Sequence, residues 1–242
     1  MKITELRFEF NWKLTLFSVL LLPILIFLGT WQLDRADQKR AIQAQWEREQ
    51  SLPPQVFQAI DVEQRDFRRV TMRGEFQTEK YWLKENQMLN GQLGFHVIMP
   101  FKLDEGDTVV AVDRGWVEGS PLREFVPKVI TPEGSIEISG ALVLPSDSML
   151  VREADVSAKT WPHKILEVDL PVLSSQIKQK LYPLLLRIDA DSTGALTVYW
   201  RPINVSPAKH IGYAVQWFLM ALALVILYLY ASTNIMQIIG KR

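Results

Sequence analysis

Leu14–Leu33 reads LTLFSVLLLPILIFLGTWQL and Ile211–Ala231 reads IGYAVQWFLMALALVILYLYA, runs of 20 and 21 residues without a charge. At about 1.5 Å per helical residue, each is long enough to cross a hydrocarbon core of about 30 Å. Pro23 falls inside the first run, where a membrane helix tolerates it. Between the runs lie 177 residues, Asp34–His210, the size of one ordinary domain. Two such runs exclude a purely soluble protein and a many-span transporter. With no Cys, disulfide scaffolds, thiolate zinc sites and copper delivery by thiolates are excluded as well.

Lys2, Arg7 and Lys13 precede the first run, and Lys241 and Arg242 follow the second. Short basic flanks stay in the cytoplasm, and a long loop is translocated whatever its charge. The reading is therefore a cytoplasmic lead (1–13), a first transmembrane helix (14–33), a periplasmic domain (34–210), a second transmembrane helix (211–231) and a cytoplasmic tail (232–242). A bacterial inner membrane is the simplest compartment. The first run lacks a small-x-small site and exceeds a signal-peptide core, so an uncleaved anchor is expected. The domain carries 22 basic and 25 acidic residues, which is not the balance of a nucleic-acid binder.

Asp34–Gln50 contains no Gly or Pro and is rich in helix formers, so the first helix is expected to continue to about residue 50, where Leu52-Pro53-Pro54 stops it. Beyond it the signals are β: Phe67–Phe76, Tyr81–Asn86, Phe95–Phe101 cut by Pro100, Thr108–Trp116, Ser135–Leu144, Leu184–Asp189 and Thr197–Trp200, the last two as a terminal hairpin. Asn90-Gly91 is a turn dipeptide. Regular short strands suggest a mainly antiparallel sandwich or small barrel. Residues 145–183 are ambiguous, with a short helix over Leu173–Leu181. The fold class is a membrane α+β protein, two transmembrane helices anchoring one extracytoplasmic β domain.

No nucleophile elbow, H-E-x-x-H, Walker loop or dinucleotide fingerprint is present, and no catalytic set presents itself. The informative residues lie where the runs meet the domain. His210, Tyr213 and Trp217 share one helical face, with Gln216 and Gly212 beside it. Trp31 and Arg35 are one turn apart, as are Gly29 and Gln32. An imidazole, amides, a guanidinium and indoles at an apolar–polar border suit a flat amphipathic cofactor such as haem. The same residues also fit an aromatic belt, snorkelling cations and close helix packing, with His210 at a helix start. In Asp113-Arg114-Gly115-Trp116, neighbours point to opposite faces of a strand. Arg114 then serves either a structural corner with a salt bridge or a contact to a propionate or to a partner. His96 and His163 read as ordinary histidines, and Arg65, Arg68 and Arg69 as a solvated basic face.

Several of these motifs together resemble the Surfeit-locus (Surf-type) cytochrome c oxidase assembly family. They are Leu28-Gly29-Thr30-Trp31-Gln32-Leu33-x-Arg35, Val70-x-x-x-Gly74-x-Phe76, Gly91-x-x-Gly94-Phe95, Pro100-Phe101, Val112-Asp113-Arg114-Gly115-Trp116-Val117 and Lys209-His210-x-Gly212-Tyr213-Ala214-x-Gln216-Trp217-Phe218. Their order, the two-run layout and the length agree, so the resemblance covers nearly the whole chain. It implies a role in building the haem–copper oxidase, with His210 as haem-iron ligand and Trp31, Gln32, Arg35, Arg114, Tyr213, Gln216 and Trp217 about the cofactor. Haem a is then the implied cofactor. The oxidase catalytic subunit, the lipid bilayer and haem A synthase are the implied partners.

Two mechanisms follow. In the first, a non-enzymatic factor holds haem a transiently and aids its delivery. In the second, a haem-free scaffold docks on the oxidase subunit and stabilises it. A two-span sensor is disfavoured, because the cytoplasmic pieces are too short for an output domain.

Overall fold

The computed structural model describes residues 7–57, 66–119, 126–145, 160–200, 202–203 and 205–234. The chain forms two compact units, Met1–Ala44 with Pro202–Arg242, and Gln45–Arg201.

The first unit is a pair of apolar helices. Helix α1 runs from Trp12 to Ser51 through Pro23, and α3 from Pro207 to Ser232. Both are long and apolar enough to cross a membrane. On α1 the buried positions Ser18, Leu25, Gly29 and Ala36 recur at spacings of seven, four and seven, and on α3 Ala214, Ala221 and Ser232 at seven and eleven, close to whole helical turns in each case. Small residues on such a seam let two helices approach closely. A Cβ on Gly29 would lie 2.6 Å from the Phe218 ring, so the ring occupies the space that Gly29 leaves. Thr15 Oγ1 and Tyr228 OH lie 3.0 Å apart. At the same end the chain before α1 pairs with the end of α3: Glu9 N donates to Ser232 O at 2.8 Å, and Arg7 N to Asn234 Oδ1 at 2.8 Å.

The second unit is a β barrel. Its strands are β1 (Gln55–Val56), β2 (Arg69–Phe76), β3 (Trp82–Leu89), β4 (Gln92–Leu103), β5 (Val109–Glu118), β6 (Ile136–Val143), β7 (His163–Ile165) and β8 (Leu181–Ile188); helix α2 spans Leu170–Ile177. The pairings β2–β6, β6–β8, β8–β5, β5–β4 and β4–β2 close a ring of five strands. All are antiparallel except β5–β8. With the ring strands numbered in chain order, the circuit is 1-2-3-5-4-1, the Greek key of OB-type barrels. Strands β3 and β7 extend the sheet beyond β4, and β1 pairs with β2. The alternation read from the sequence thus resolves as a barrel, not a sandwich.

Alternation sorts the side chains. Val70, Met72 and Phe76 (β2), Phe95, Val97, Met99 and Phe101 (β4), Val110 and Val112 (β5), Ile138 and Leu142 (β6) and Leu184, Leu186 and Ile188 (β8) form one buried core. Gly74 stands where β2 passes from β6 to β4; a Cβ there would collide with the Lys102 carbonyl oxygen. Helix α2 packs on β8 and buries Leu170, Leu173 and Ile177. Asp169 caps it, accepting from Val172 N at 3.1 Å, and Pro171 stands in its first turn. The last turns of α1 belong to this unit: Trp46 meets Trp200 edge-on at 6.2 Å, and Glu49 pairs with Arg68 at 3.3 Å.

Three readings change. β4 is not cut at Pro100, because its pairing to β3 ends at Ile98 and its pairing to β2 begins at Phe101, so the missing N–H falls at the changeover. Thr197–Trp200 does not form a hairpin with β8. It lies along the end of β5 instead, where Trp116 N donates to Thr197 O at 2.7 Å and Leu196 N to Arg114 O at 2.8 Å. The expected basic face is no free surface, since Arg68 pairs with Glu49 and Arg69 with Asp189 at 2.8 Å; Arg65 lies outside the described residues.

Candidate functional site

Helix α3 begins four residues earlier than the apolar run, at Pro207 with Ser206 as N-cap. His210 is therefore within the first turn of the helix. Its Nδ1 lies 2.8 Å from Gln32 Oε1 on α1, a contact joining residues 178 apart in sequence. An amide oxygen only accepts, so Nδ1 donates to it, and in a neutral ring Nε2 is then the nitrogen with the free lone pair. Among the described residues Nε2 has no hydrogen-bond partner, and the ring is half-buried.

The other border residues lie on the same two helices. Arg35 lies over the Trp31 ring, its guanidinium carbon 5.6 Å from the centroid, and donates to Gln38 Oε1 at 2.8 Å. Trp31 is 42 % and Tyr213 49 % exposed, Gln216 is exposed and Trp217 half-buried. The structure thus joins His210 to Gln32 and Trp31 to Arg35. Tyr213, Gln216 and Trp217 share the helix of His210 without a hydrogen bond to either pair.

Among the described residues no three His, Asp or Glu come together to hold a bare metal ion. One neutral imidazole suits a centre that brings its own equatorial ligands, as an iron porphyrin does. A hydrogen bond on the far ring nitrogen is the usual support of a ligating histidine. The residues present therefore fit such a group.

Arg114 requires a correction. It continues the inward series Val110, Val112 of β5 and is 1 % exposed within the barrel. Nε donates to Gly194 O at 2.8 Å, Nη1 to Thr131 Oγ1 at 2.6 Å and Nη2 to Ile130 O at 2.8 Å, over the Phe76 ring. Burial pulls its pKa down to about 10, against an opposing pull from Tyr81. It ties the segments around 130 and 194 to the end of β5, and among the described residues it has no carboxylate partner. A side chain so enclosed is not available to a ligand's carboxylate, and the expected salt bridge is replaced by backbone carbonyls.

Asp113, one residue earlier, faces the other way. Its carboxylate lies 2.9 Å from His96 Nδ1 and accepts from Gly115 N at 3.0 Å. Burial alone would raise its pKa. The hydrogen bond and charge of His96, with Arg187 and the Gly115 N–H, outweigh this and hold the carboxyl below its ordinary value. No signal short of the barrel register could have paired His96 with Asp113. The bulge between His96 and Ile98 sets their facing.

Two helices long and apolar enough to cross a membrane, with a small closed β barrel between them in the chain, place the protein in the membrane α+β class. The SURF1 family model matches residues 19–222. A SURF1-like protein of Rickettsia felis is 25 % identical over 93 % of this chain and all of its own length. One of Rickettsia bellii is 26 % identical over 85 % of each chain, and one of Dictyostelium discoideum is 32 % identical over 43 % of this chain and 42 % of its own. The chain belongs to the SURF1 family, whose members are known as cytochrome c oxidase assembly factors.

Proposed function

We propose that this protein is a non-enzymatic assembly factor of the haem–copper cytochrome c oxidase that binds haem a transiently through His210 and aids its delivery to the catalytic subunit. One observation carries the reading: the His210–Gln32 contact engages Nδ1 and leaves Nε2 unpaired among the described residues at the helix border. His210 would hold haem a there, and the group would supply an iron centre able to take an imidazole nitrogen. Gln32 holds the ring, while Trp31, Tyr213 and Trp217 offer flat apolar surfaces beside it. Arg35 brings a cation for acidic groups of the ligand. A single protein ligand suits a donor that must release its cargo.

In this reading the helices span a bacterial inner membrane with both termini cytoplasmic, as the basic flanks indicate. The barrel faces the periplasm. The oxidase catalytic subunit receives the haem, and haem A synthase is the source.

The test is the visible spectrum of protein purified in mild detergent from cells that make haem A, beside His210→Ala. A haem band in the wild type that is lost from the folded, inserted variant is the expected result. Absence of a band from folded wild type would leave a haem-free scaffold that docks on the oxidase subunit.

A further inference from the structure

We propose that Gln32 is the positioning residue of His210: by accepting from Nδ1 it selects the tautomer in which Nε2 is the donor, and so sets how strongly the site holds iron. The proposal rests on the haem reading of His210 for its second half and stands on the helix geometry for its first.

Gln32 occupies the seam of α1, at the spacing that carries Ser18, Leu25, Gly29 and Ala36 toward α3. A long amide among such neighbours is costly unless its polar atoms are paired. Its oxygen is paired, at 2.8 Å, with His210 Nδ1, and among the described residues the ring makes no other hydrogen bond. An imidazole left to water favours the proton on Nε2, the nitrogen that a metal would need. The tautomer with Nδ1 protonated therefore needs an acceptor, and Gln32 is the one present. Which ring nitrogen ligates a metal is set by the hydrogen bond that the other makes. Because partner and ligand sit on different helices, the donor strength of Nε2 depends on α1 and α3 staying in register at this turn.

A purely structural strut would make a different prediction. Packing is indifferent to where the ring proton sits; positioning is not. The chain has three histidines, so ring-nitrogen NMR of the full-length protein, labelled at histidine, metal-free and in detergent, resolves each of them. His210→Ala assigns the site. His96, whose Nδ1 lies 2.9 Å from Asp113, is an internal control.

In wild type the His210 signals are expected to show a protonated Nδ1 and an unprotonated Nε2. Gln32→Leu and the shorter Gln32→Asn are expected to move the proton toward Nε2, while Gln32→Glu retains it on Nδ1; His96 is unchanged in all three. In titrations with haem, Leu and Asn are expected to weaken binding by roughly 10–100-fold, with Glu keeping it. Unchanged His210 signals in Leu or Asn overturn the proposal, as does a shifted tautomer with undiminished haem affinity. If Leu fails to insert, Asn and Glu decide alone. The signals are read without haem, so a wild type that binds none refutes the haem reading while the NMR result still decides the role of Gln32.

Discussion

Arg114 and Asp113 are adjacent in the chain and opposite in environment, because successive residues of a strand point to opposite faces. Arg114 looks into the barrel and is held by carbonyls of two segments. Arg114→Ala would leave Ile130 O and Gly194 O without these donors, at ~1–3 kcal/mol for each buried acceptor. A markedly lower thermal midpoint of the barrel is the expected outcome; a midpoint within a degree of wild type would show those segments to be held otherwise. Asp113 has a folded pKa below the ordinary value, so its contribution is complete above about pH 4 and is lost as the pH falls through the depressed value. Denaturant titrations between pH 7 and pH 2.5 should show stability dropping at the acid end. In Asp113→Asn, which can still accept from His96, the drop should be smaller and the neutral-pH stability lower.

At the scale of elements, the approach of α1 to α3 depends on Gly29, whose missing Cβ makes room for Phe218. Gly29→Ala forces that ring to move and is expected to cost ~1–3 kcal/mol, with partial loss of the His210–Gln32 contact one turn away. Gly29→Ala combined with Phe218→Leu should recover most of it. A double variant no more stable than Gly29→Ala, measured by thermal unfolding in detergent, would show that the seam does not close on this pair. In β8, Pro183 faces outward between the core residues Tyr182 and Leu184, where pairing to β5 shifts from Val109–Leu181 to Ala111–Leu185. A residue without an N–H sits where the ladder skips, and the inward series Tyr182, Leu184, Leu186 and Ile188 runs past it unbroken.

For the molecule as a whole, the proposed topology has a direct test, since the chain has no native Cys to mask. Glu133→Cys, at an exposed position of the barrel unit, should react with an impermeant maleimide added outside intact spheroplasts. Lys241→Cys should react only after permeabilisation. The opposite pattern would invert the assignment made from the basic flanks.

The sequence by itself determined the two apolar helices, their order about one β domain, most of the strands and the family, because a 20-residue apolar run, period-two alternation and short motifs are local properties. It also placed His210, Gln32, Trp31 and Arg35 near one border. Only the tertiary structure decided which of them meet. The His210–Gln32 pair, the enclosure of Arg114, the His96–Asp113 contact and the closure of β2 on β4 join residues distant in the chain. Such contacts depend on strand register and helix approach. A shift of one residue in a strand would turn Arg114 outward and Asp113 inward, and only the packed barrel fixes that choice.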